Sequence, residues 1–213
     1  MLGAAWTVNE KAKVCLVSCS VLKEELEQLV KQGSLDVKLV FVSKYFHVDN
    51  EALEKNLRKV LEHTLKCSSV KVVLVHGDLC IGPNGEMKKL AEEYGIEKVD
   101  ALNCIDCQLG GKGKISEINP DNNPMFMGPG MIEFFTHMEK SMLKEGVDKE
   151  ALANVFSGIK GIVLLDTLGN AEKCLEEVEK SGFGLKVLEI KEVGLEGLRQ
   201  VVIDAIERAT NTT

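Results

Sequence analysis

Three cysteines, Cys19, Cys80 and Cys104, each follow an apolar segment that predicts a strand. Cys19 comes one residue after the first predicted strand and at the start of a helix. Cys80 lies in the loop after the third strand, and Cys104 follows the fourth by two residues. The carboxyl ends of parallel strands meet at one edge of a sheet, where ligands bind. We therefore expect a shared three-thiol site, with the thiolate form favoured by nearby helix N-termini.

Three thiolates that leave a fourth position open suit two kinds of metal centre. One is a [4Fe–4S] cluster with one iron free for a small substrate or a sulfur ligand. The other is a catalytic Zn²⁺ ion with one site left for substrate. His47, His76 and Glu25 are the candidate catalytic residues, as proton donors or as groups that orient the ligands. Two plainer roles stay open, with His76 as a hydrogen-bonded strand-end residue and Glu25 as an exposed helix residue.

Cys104 and Cys107 form a Cys-x-x-Cys pair, which is typical of a redox dithiol or of half a zinc site. A zinc ribbon would need a second close pair, and the sequence has none. A thioredoxin-like dithiol would open a helix and follow an aromatic residue, whereas Asn103 precedes this pair. We therefore treat Cys107 as an auxiliary thiol and expect Cys15, in the first strand, to belong to the core.

Gly110, Gly130 and Asp166 are the candidate cofactor-binding residues outside the thiol set. Gly110 opens a flexible, basic glycine-rich segment, and Gly130 lies beside a proline where a helix could start. Asp166 ends a predicted strand, where it lines the same crevice or only caps the next turn. The segment 103–129 holds several glycines and prolines and is predicted to be an irregular loop that covers the site.

Six apolar segments alternate with segments of helical spacing, which predicts an α/β fold. We expect a Rossmann-like, mostly parallel sheet of about six strands with helices on both faces, in a single domain over residues 1–213. The predicted strands are Lys13–Ser18, Val37–Val42, Val70–Val75, Lys98–Leu102, Gly161–Leu165 and Leu185–Ile190.

Charge and composition narrow the classes of partner. The formal net charge is −7 and the aromatic content 5%, so neither a basic patch nor a stacking platform for nucleic acid is expected. No apolar stretch has the length of a membrane span, and the N-terminal residues lack a signal-peptide core. We expect a cytoplasmic protein with free or metal-bound thiols that acts on a small molecule, and homo-oligomer formation stays open.

The cysteine segments together resemble the domain of unknown function 1638 family, which is found largely in methanogenic archaea and anaerobic bacteria. The resemblance implies that the family's recurrent cysteines correspond to Cys19, Cys80 and Cys104, and that Cys107 replaces an apolar residue. It also implies a setting in corrinoid-dependent methyl transfer. The segments that carry the resemblance are Cys19–Leu26, Phe46-His47, Gly77–Cys80, Asn103–Gly110 and Gly128–Glu133.

Three functional hypotheses follow. The first is a metal-dependent lyase or transferase whose [4Fe–4S] cluster, held by the three cysteines, binds a small substrate in anaerobic one-carbon metabolism. The second is a zinc–thiolate protein that activates a thiol for methyl transfer. The third is a non-catalytic accessory protein that binds a corrinoid protein.

Overall fold

The computed structural model describes residues 6–7, 12–67, 70–121, 123–180 and 184–211. Contacts divide the chain into two compact units, one formed by Met1–Lys114 with Leu195–Thr213 and the other by Ile115–Gly194. The last helix therefore belongs to the first unit, although the whole second unit precedes it in the chain. That residues 1–213 act as one domain stays a prediction.

The described residues form eight strands and nine α-helices. The strands are β1 Trp6–Thr7, β2 Val14–Cys19, β3 Lys38–Val42, β4 Lys71–Val75, β5 Glu97–Lys98, β6 Met125–Met127, β7 Ile162–Asp166 and β8 Val187–Glu192. The helices are α1 Lys23–Lys31, α2 Asn50–Cys67, α3 Glu86–Glu93, α4 Cys104–Leu109, α5 Lys114–Ile118, α6 Pro129–Lys144, α7 Lys149–Val155, α8 Ala171–Lys180 and α9 Glu196–Asn211. Two 3₁₀ turns, Ser20–Leu22 and Lys44–Val48, follow β2 and β3.

The first unit contains a five-stranded sheet in the order β1-β3-β2-β4-β5. β1 is antiparallel to β3, and the other neighbours are parallel. β2 lies in the middle of the sheet, and every residue of β2 is buried. Burial on both faces was predicted for Val70–Val75, and in β4 all residues after Lys71 are buried, as expected for a parallel sheet.

Alternate residues of β2 face two separate cores. Leu16 packs in a cluster with Leu26 of α1 and Val202 of α9. Val17 packs in another cluster with Leu57 of α2 and Met87 of α3. Because side chains of a strand alternate between faces, the helices cover both faces of the sheet. This arrangement confirms the predicted α/β class.

The second unit contains a parallel three-stranded sheet in the order β6-β7-β8. Its core joins Met127 and Leu164 from the sheet with Ile132 of α6 and Cys174 and Val178 of α8. β8 is largely exposed, with Leu188 and Ile190 among the exposed apolar residues. The unit has the same parallel pairing as the first on a smaller scale.

Three details of the sequence prediction were wrong. The six predicted strands belong to two sheets rather than to one. The segment 103–129 is not wholly irregular, because α4, α5 and β6 lie within it. The fourth strand was predicted at Lys98–Leu102, whereas β5 spans only Glu97–Lys98. Backbone hydrogen bonds to β4 and to the loop that follows it nevertheless continue after Lys98. Among the described helices, none has the length and apolar character that a membrane span requires.

Candidate functional site

The strand register of the first sheet brings two candidate residues to one edge. Ser18 pairs with Val75 of β4, so Cys19 and His76 each follow a paired residue at the carboxyl ends of adjacent strands. On its other side, Cys19 pairs with Val42, the last residue of β3. The predicted edge for the thiol site is therefore the edge where Cys19 and His76 lie.

The 3₁₀ turn after β3 brings His47 against Cys19. The hydroxyl of Ser20 accepts a hydrogen bond from the backbone N–H of Lys44 at 2.8 Å, which ties this turn to the end of β2. His47 Nε2 then lies 3.1 Å from Cys19 Sγ. Burial lowers the pKa of His47 and raises the pKa of Cys19 to about 12. Both groups therefore favour their neutral forms, and the tautomer of His47 decides which of the two donates to the other.

The Cys80 loop is fixed to the segment that leads into Cys104. The backbone N–H groups of Asp78 and Leu79 donate to the carbonyls of Ala101 and Leu102, at 2.9 and 3.0 Å. At Gly77 the two segments approach so closely that an added Cβ would lie 2.4 Å from backbone atoms of Asn103 and Leu102. Glycine is therefore required at position 77, and the approach places the two cysteine-bearing segments side by side.

Helix α4 begins at Cys104 and is capped from both sides of that residue. The side chain of Asn103 accepts a hydrogen bond from the N–H of Asp106 at 3.0 Å. The buried carboxylate of Asp106 in turn accepts from the N–H groups of Leu102 and Gly113, each at 3.1 Å. These bonds fix the backbone on both sides of Cys104, whose own side chain is partly buried.

The three predicted thiols lie within electrostatic range of one another. Burial raises the pKa of Cys104 well above its ordinary value, and the proximity of Cys19, Cys80 and Cys107 raises it further, because thiolates at these positions would repel one another. Burial also raises the pKa of Cys80 to about 11. The expectation that helix N-termini favour thiolates was therefore wrong for the uncomplexed thiols, because desolvation outweighs the helix field. The sulfur atoms are neutral unless a cation compensates them.

His76 follows β4 at this edge and has no hydrogen-bond partner among the described residues. It is 2% exposed, and neither ring nitrogen has a partner among the described residues. Its ring stacks on that of His47, with centroids 6.5 Å apart and 15° between the planes. Burial, with smaller contributions from nearby His47 and Lys98, lowers the pKa of His76 to about 3. The alternative of a hydrogen-bonded strand-end histidine was wrong.

Three charged residues beside the site were missed by the sequence analysis. Lys98 Nζ donates to Asp78 Oδ1 at 2.6 Å, and Lys112 Nζ donates to Asp78 Oδ2 at 2.7 Å. The positive charge of Lys98 lowers the pKa of Cys80. Asp78 lies in the quoted Gly-Asp-Leu-Cys segment, which could have indicated it. Nothing in the sequence distinguishes Lys98 from a surface lysine.

Glu25 is buried rather than exposed, so the alternative of a surface helix residue was wrong. Its carboxylate accepts a hydrogen bond from Gln108 Nε2 at 2.9 Å, which joins α1 to α4. Gln108 is itself buried and was not singled out in the sequence. The hydrogen bond between Glu25 and Gln108 helps to position the helix that begins with Cys104. A role for Glu25 in proton transfer stays a prediction.

The other three predicted residues have structural roles in the fold. Gly110 ends α4 in the left-handed conformation, with φ 103°. Gly130 lies in the first turn of α6, in the second unit. Asp166 ends β7, and its Oδ1 accepts from the N–H groups of Gly169 and Asn170. Their assignment to cofactor binding stays a prediction.

Among the described residues, no three His, Cys, Asp or Glu side chains are arranged so that they could hold a single metal ion. The donor set nevertheless suits metal chemistry, since it combines thiols with a neutral, unpartnered imidazole. A [4Fe–4S] cluster binds its thiolates on different irons, so its ligands do not converge on one point.

The fold and the site define an α/β protein with buried thiols and imidazoles at the carboxyl edge of a parallel sheet. The chain belongs to DUF1638, a family of proteins of unknown function, whose family model matches residues 41–202. This match confirms the family resemblance, and it includes Cys80 and Cys104 while Cys19 precedes it. No curated protein matches the chain. The corrinoid setting and the cytoplasmic location stay predictions.

Proposed function

We propose that the protein holds a [4Fe–4S] cluster through Cys19, Cys80 and Cys104 and binds a small substrate at the position that no cysteine occupies. The observation that carries the proposal is geometric: Cys19 ends β2, and backbone hydrogen bonds with the close approach at Gly77 hold the Cys80 and Cys104 segments side by side after β4. Thiols without a polar role would have little reason to share one edge with the half-buried imidazole of His47 and the buried, neutral imidazole of His76. When bound, such a cluster supplies a Lewis acid at its open iron.

The cysteines would release their protons when they become ligands. Their pKa values are raised by burial, so the thiolate form depends on compensating positive charge. Lys44 and Lys98 supply part of that charge, since they lower the pKa of Cys19 and of Cys80 respectively. His47 Nε2, 3.1 Å from Cys19 Sγ, is placed to accept the proton of that thiol.

His76 is the residue best placed to meet the substrate. A neutral imidazole offers one donor and one acceptor, and both are unpartnered here. A substrate that supplies the complementary groups would offset the cost of burying them, about 1–3 kcal/mol each. His76 would thus orient the substrate and hold or deliver a proton at a ring nitrogen.

A single zinc ion is the second candidate, and one contact favours it. The approach of His47 to Cys19 offers a mixed nitrogen and sulfur donor pair, which is common in zinc sites. This candidate requires a side-chain rearrangement that brings a third ligand to the same point. Zinc would support activation of a substrate thiol rather than binding at an open iron.

Metal analysis of protein purified without oxygen tests the proposal. We expect iron and acid-labile sulfide in the parent, and their loss in Cys19→Ala, Cys80→Ala and Cys104→Ala. Cys15→Ala is the matched control, because Cys15 is equally buried in β2 but packs in the core beneath α2 and α3. Stoichiometric zinc without iron would select the second candidate. A parent without bound metal, or metal retained by all three variants, would refute the shared site.

A further inference from the structure

The Cys-x-x-Cys pair, of which the proposed metal site uses only Cys104, lies on the first turn of α4. Cys104 is the first residue of this helix, and the N–H of Cys107 donates to the carbonyl of Asn103 at 3.2 Å. Residues three apart on a helix lie on one face, with Cβ atoms about 5–6 Å apart. A disulfide needs Cβ atoms about 3.5–4.5 Å apart, so a local distortion of this turn that brings the two Cβ atoms about 1–2 Å closer would permit one. Cys104 therefore begins a helix, which was not predicted from the sequence.

The two thiols differ in access. Cys104 is partly buried, whereas Cys107 is 1% exposed and packs in the core with Val75 and Ala101. Cys104 packs against the core cluster that contains Cys107, so the two side chains lie on the same side of the sheet. An oxidant would reach Cys104 first, and Cys107 would be in place to react with the product.

We propose that Cys104 and Cys107 form a reversible disulfide that withdraws Cys104 from the metal site. The disulfide itself is independent of the proposed function, but its effect on the metal rests on that function. With hydrogen peroxide as oxidant, Cys104 sulfur attacks one peroxide oxygen, the O–O bond breaks, and Cys104 becomes a sulfenic acid while the other oxygen takes the thiol proton and leaves as water. Cys107 sulfur then attacks Cys104 sulfur, the S–S bond forms, and the sulfenic oxygen leaves as a second water. A small dithiol returns both thiols by exchange.

Peptide mass analysis tests the disulfide directly. Tryptic cleavage after Lys98 and Lys112 releases residues 99–112, which contain Cys104 and Cys107 and no other cysteine. We expect chelator-treated, full-length protein exposed to hydrogen peroxide to lose two hydrogens on this peptide and to regain them with dithiothreitol. The experiment uses a Cys67→Ala background, because Cys67 is exposed and would form intermolecular disulfides.

Cys107→Ala is the matched variant, with Cys107→Ser as a second in case the cavity disturbs folding. Both should give irreversible oxidation of Cys104 instead of the reversible loss of two hydrogens. A parent peptide that stays fully reduced, or that proceeds only to sulfinic acid as in Cys107→Ala, would overturn the proposal.

The coupling to the metal site has its own readout. Protein purified with its metal should form the disulfide roughly tenfold more slowly than the same preparation after chelation, since a bound thiolate is withheld from the oxidant. Equal rates in protein that carries metal would overturn the coupling. If the parent carries no metal at all, the proposed function fails, while the peptide result still decides whether the disulfide forms.

Discussion

The two parallel sheets end differently at their carboxyl edges. In the first, β4 leads into His76, which is buried with both ring nitrogens unpartnered among the described residues. In the second, β7 ends in Asp166, whose carboxylate accepts two backbone hydrogen bonds and whose carbonyl accepts two more from Val193 and Gly194. The same topological position therefore holds a polar group that the fold satisfies in one unit and leaves open in the other.

The position of a residue at a sheet edge is thus a poor criterion for a functional site. One must also ask whether the polar groups of that residue already have hydrogen-bond partners within the protein. The second edge has one buried oxygen without a partner, Asn170 Oδ1. One water can satisfy such an oxygen. His76 leaves a donor and an acceptor unpaired beside Cys19 and His47, which is a larger cost and a more specific demand.

The largest expected effect comes from Gly77→Ala. The new Cβ would meet backbone atoms of Asn103 and Leu102 at 2.4 Å, and backbone cannot yield as a flexible side chain can. We expect a loss of about 3 kcal/mol or more in the free energy of unfolding, measured by urea denaturation. Gly158→Ala in the second unit is the control, since nothing lies within 4 Å of its added Cβ. Equal stability of the two variants would show that the Cys80 and Cys104 segments are not tightly apposed.

His76 should make the stability of the metal-free protein depend on pH. Its pKa falls from 6.5 to about 3 in the folded state, so below 6.5 the unfolded chain binds a proton that the folded chain does not. Stability is therefore full above the unfolded pKa and falls as pH drops toward about 3, by up to about 1.4 kcal/mol per pH unit. His76→Gln should flatten this slope in urea midpoints measured across the range. A slope unchanged in the variant would mean that His76 is not buried in its neutral form.

Much of this edge could be predicted because its determinants are local. Continuous apolar segments such as Val14–Cys19 indicate a buried parallel strand, and parallel strands fix the edge where Cys19 and Cys80 lie. The helix α4 also has a local signal, in the capping residue Asn103 followed three residues later by Asp106. That signal was overlooked among the surrounding glycines.

The remaining features depend on contacts between distant residues. The approach of His47 to Cys19 depends on the hydrogen bond from Lys44 to Ser20, and a single sequence shows no pattern for it. The split into two sheets depends on which strands pair, whereas local patterns predict only that strands exist. The raised thiol pKa values depend on burial that no cysteine spacing reveals.

Asp78→Asn tests the charged border of the first edge. The carboxylate joins Lys98, which is 13% exposed, to Lys112, and removing its charge leaves Lys98 partly buried without its ion pair. We expect a loss of about 2 kcal/mol in urea denaturation near neutral pH. Glu97→Gln is the control, because its pair with Arg208 is exposed on both sides and should contribute less than about 1 kcal/mol. If Asp78→Asn destabilised the protein less than this control does, the ion pair between Asp78 and Lys98 would not stabilise the border of the site.

The smallest expected effect tests the second edge. Asp166→Ala removes the acceptor for the N–H groups of Gly169 and Asn170, which lie 2.7 and 3.1 Å from Oδ1. Both groups are near solvent and can bind water instead, so the loss in the free energy of unfolding should be about 1 kcal/mol. Metal content, measured on protein purified without oxygen, should equal that of the parent. If Asp166→Ala instead lost metal as completely as Cys104→Ala, the predicted cofactor role of Asp166 would be right. Hydrogen-bond partners would then fail to distinguish the two sheet edges, because Asp166, whose acceptors already have partners, would belong to the metal site.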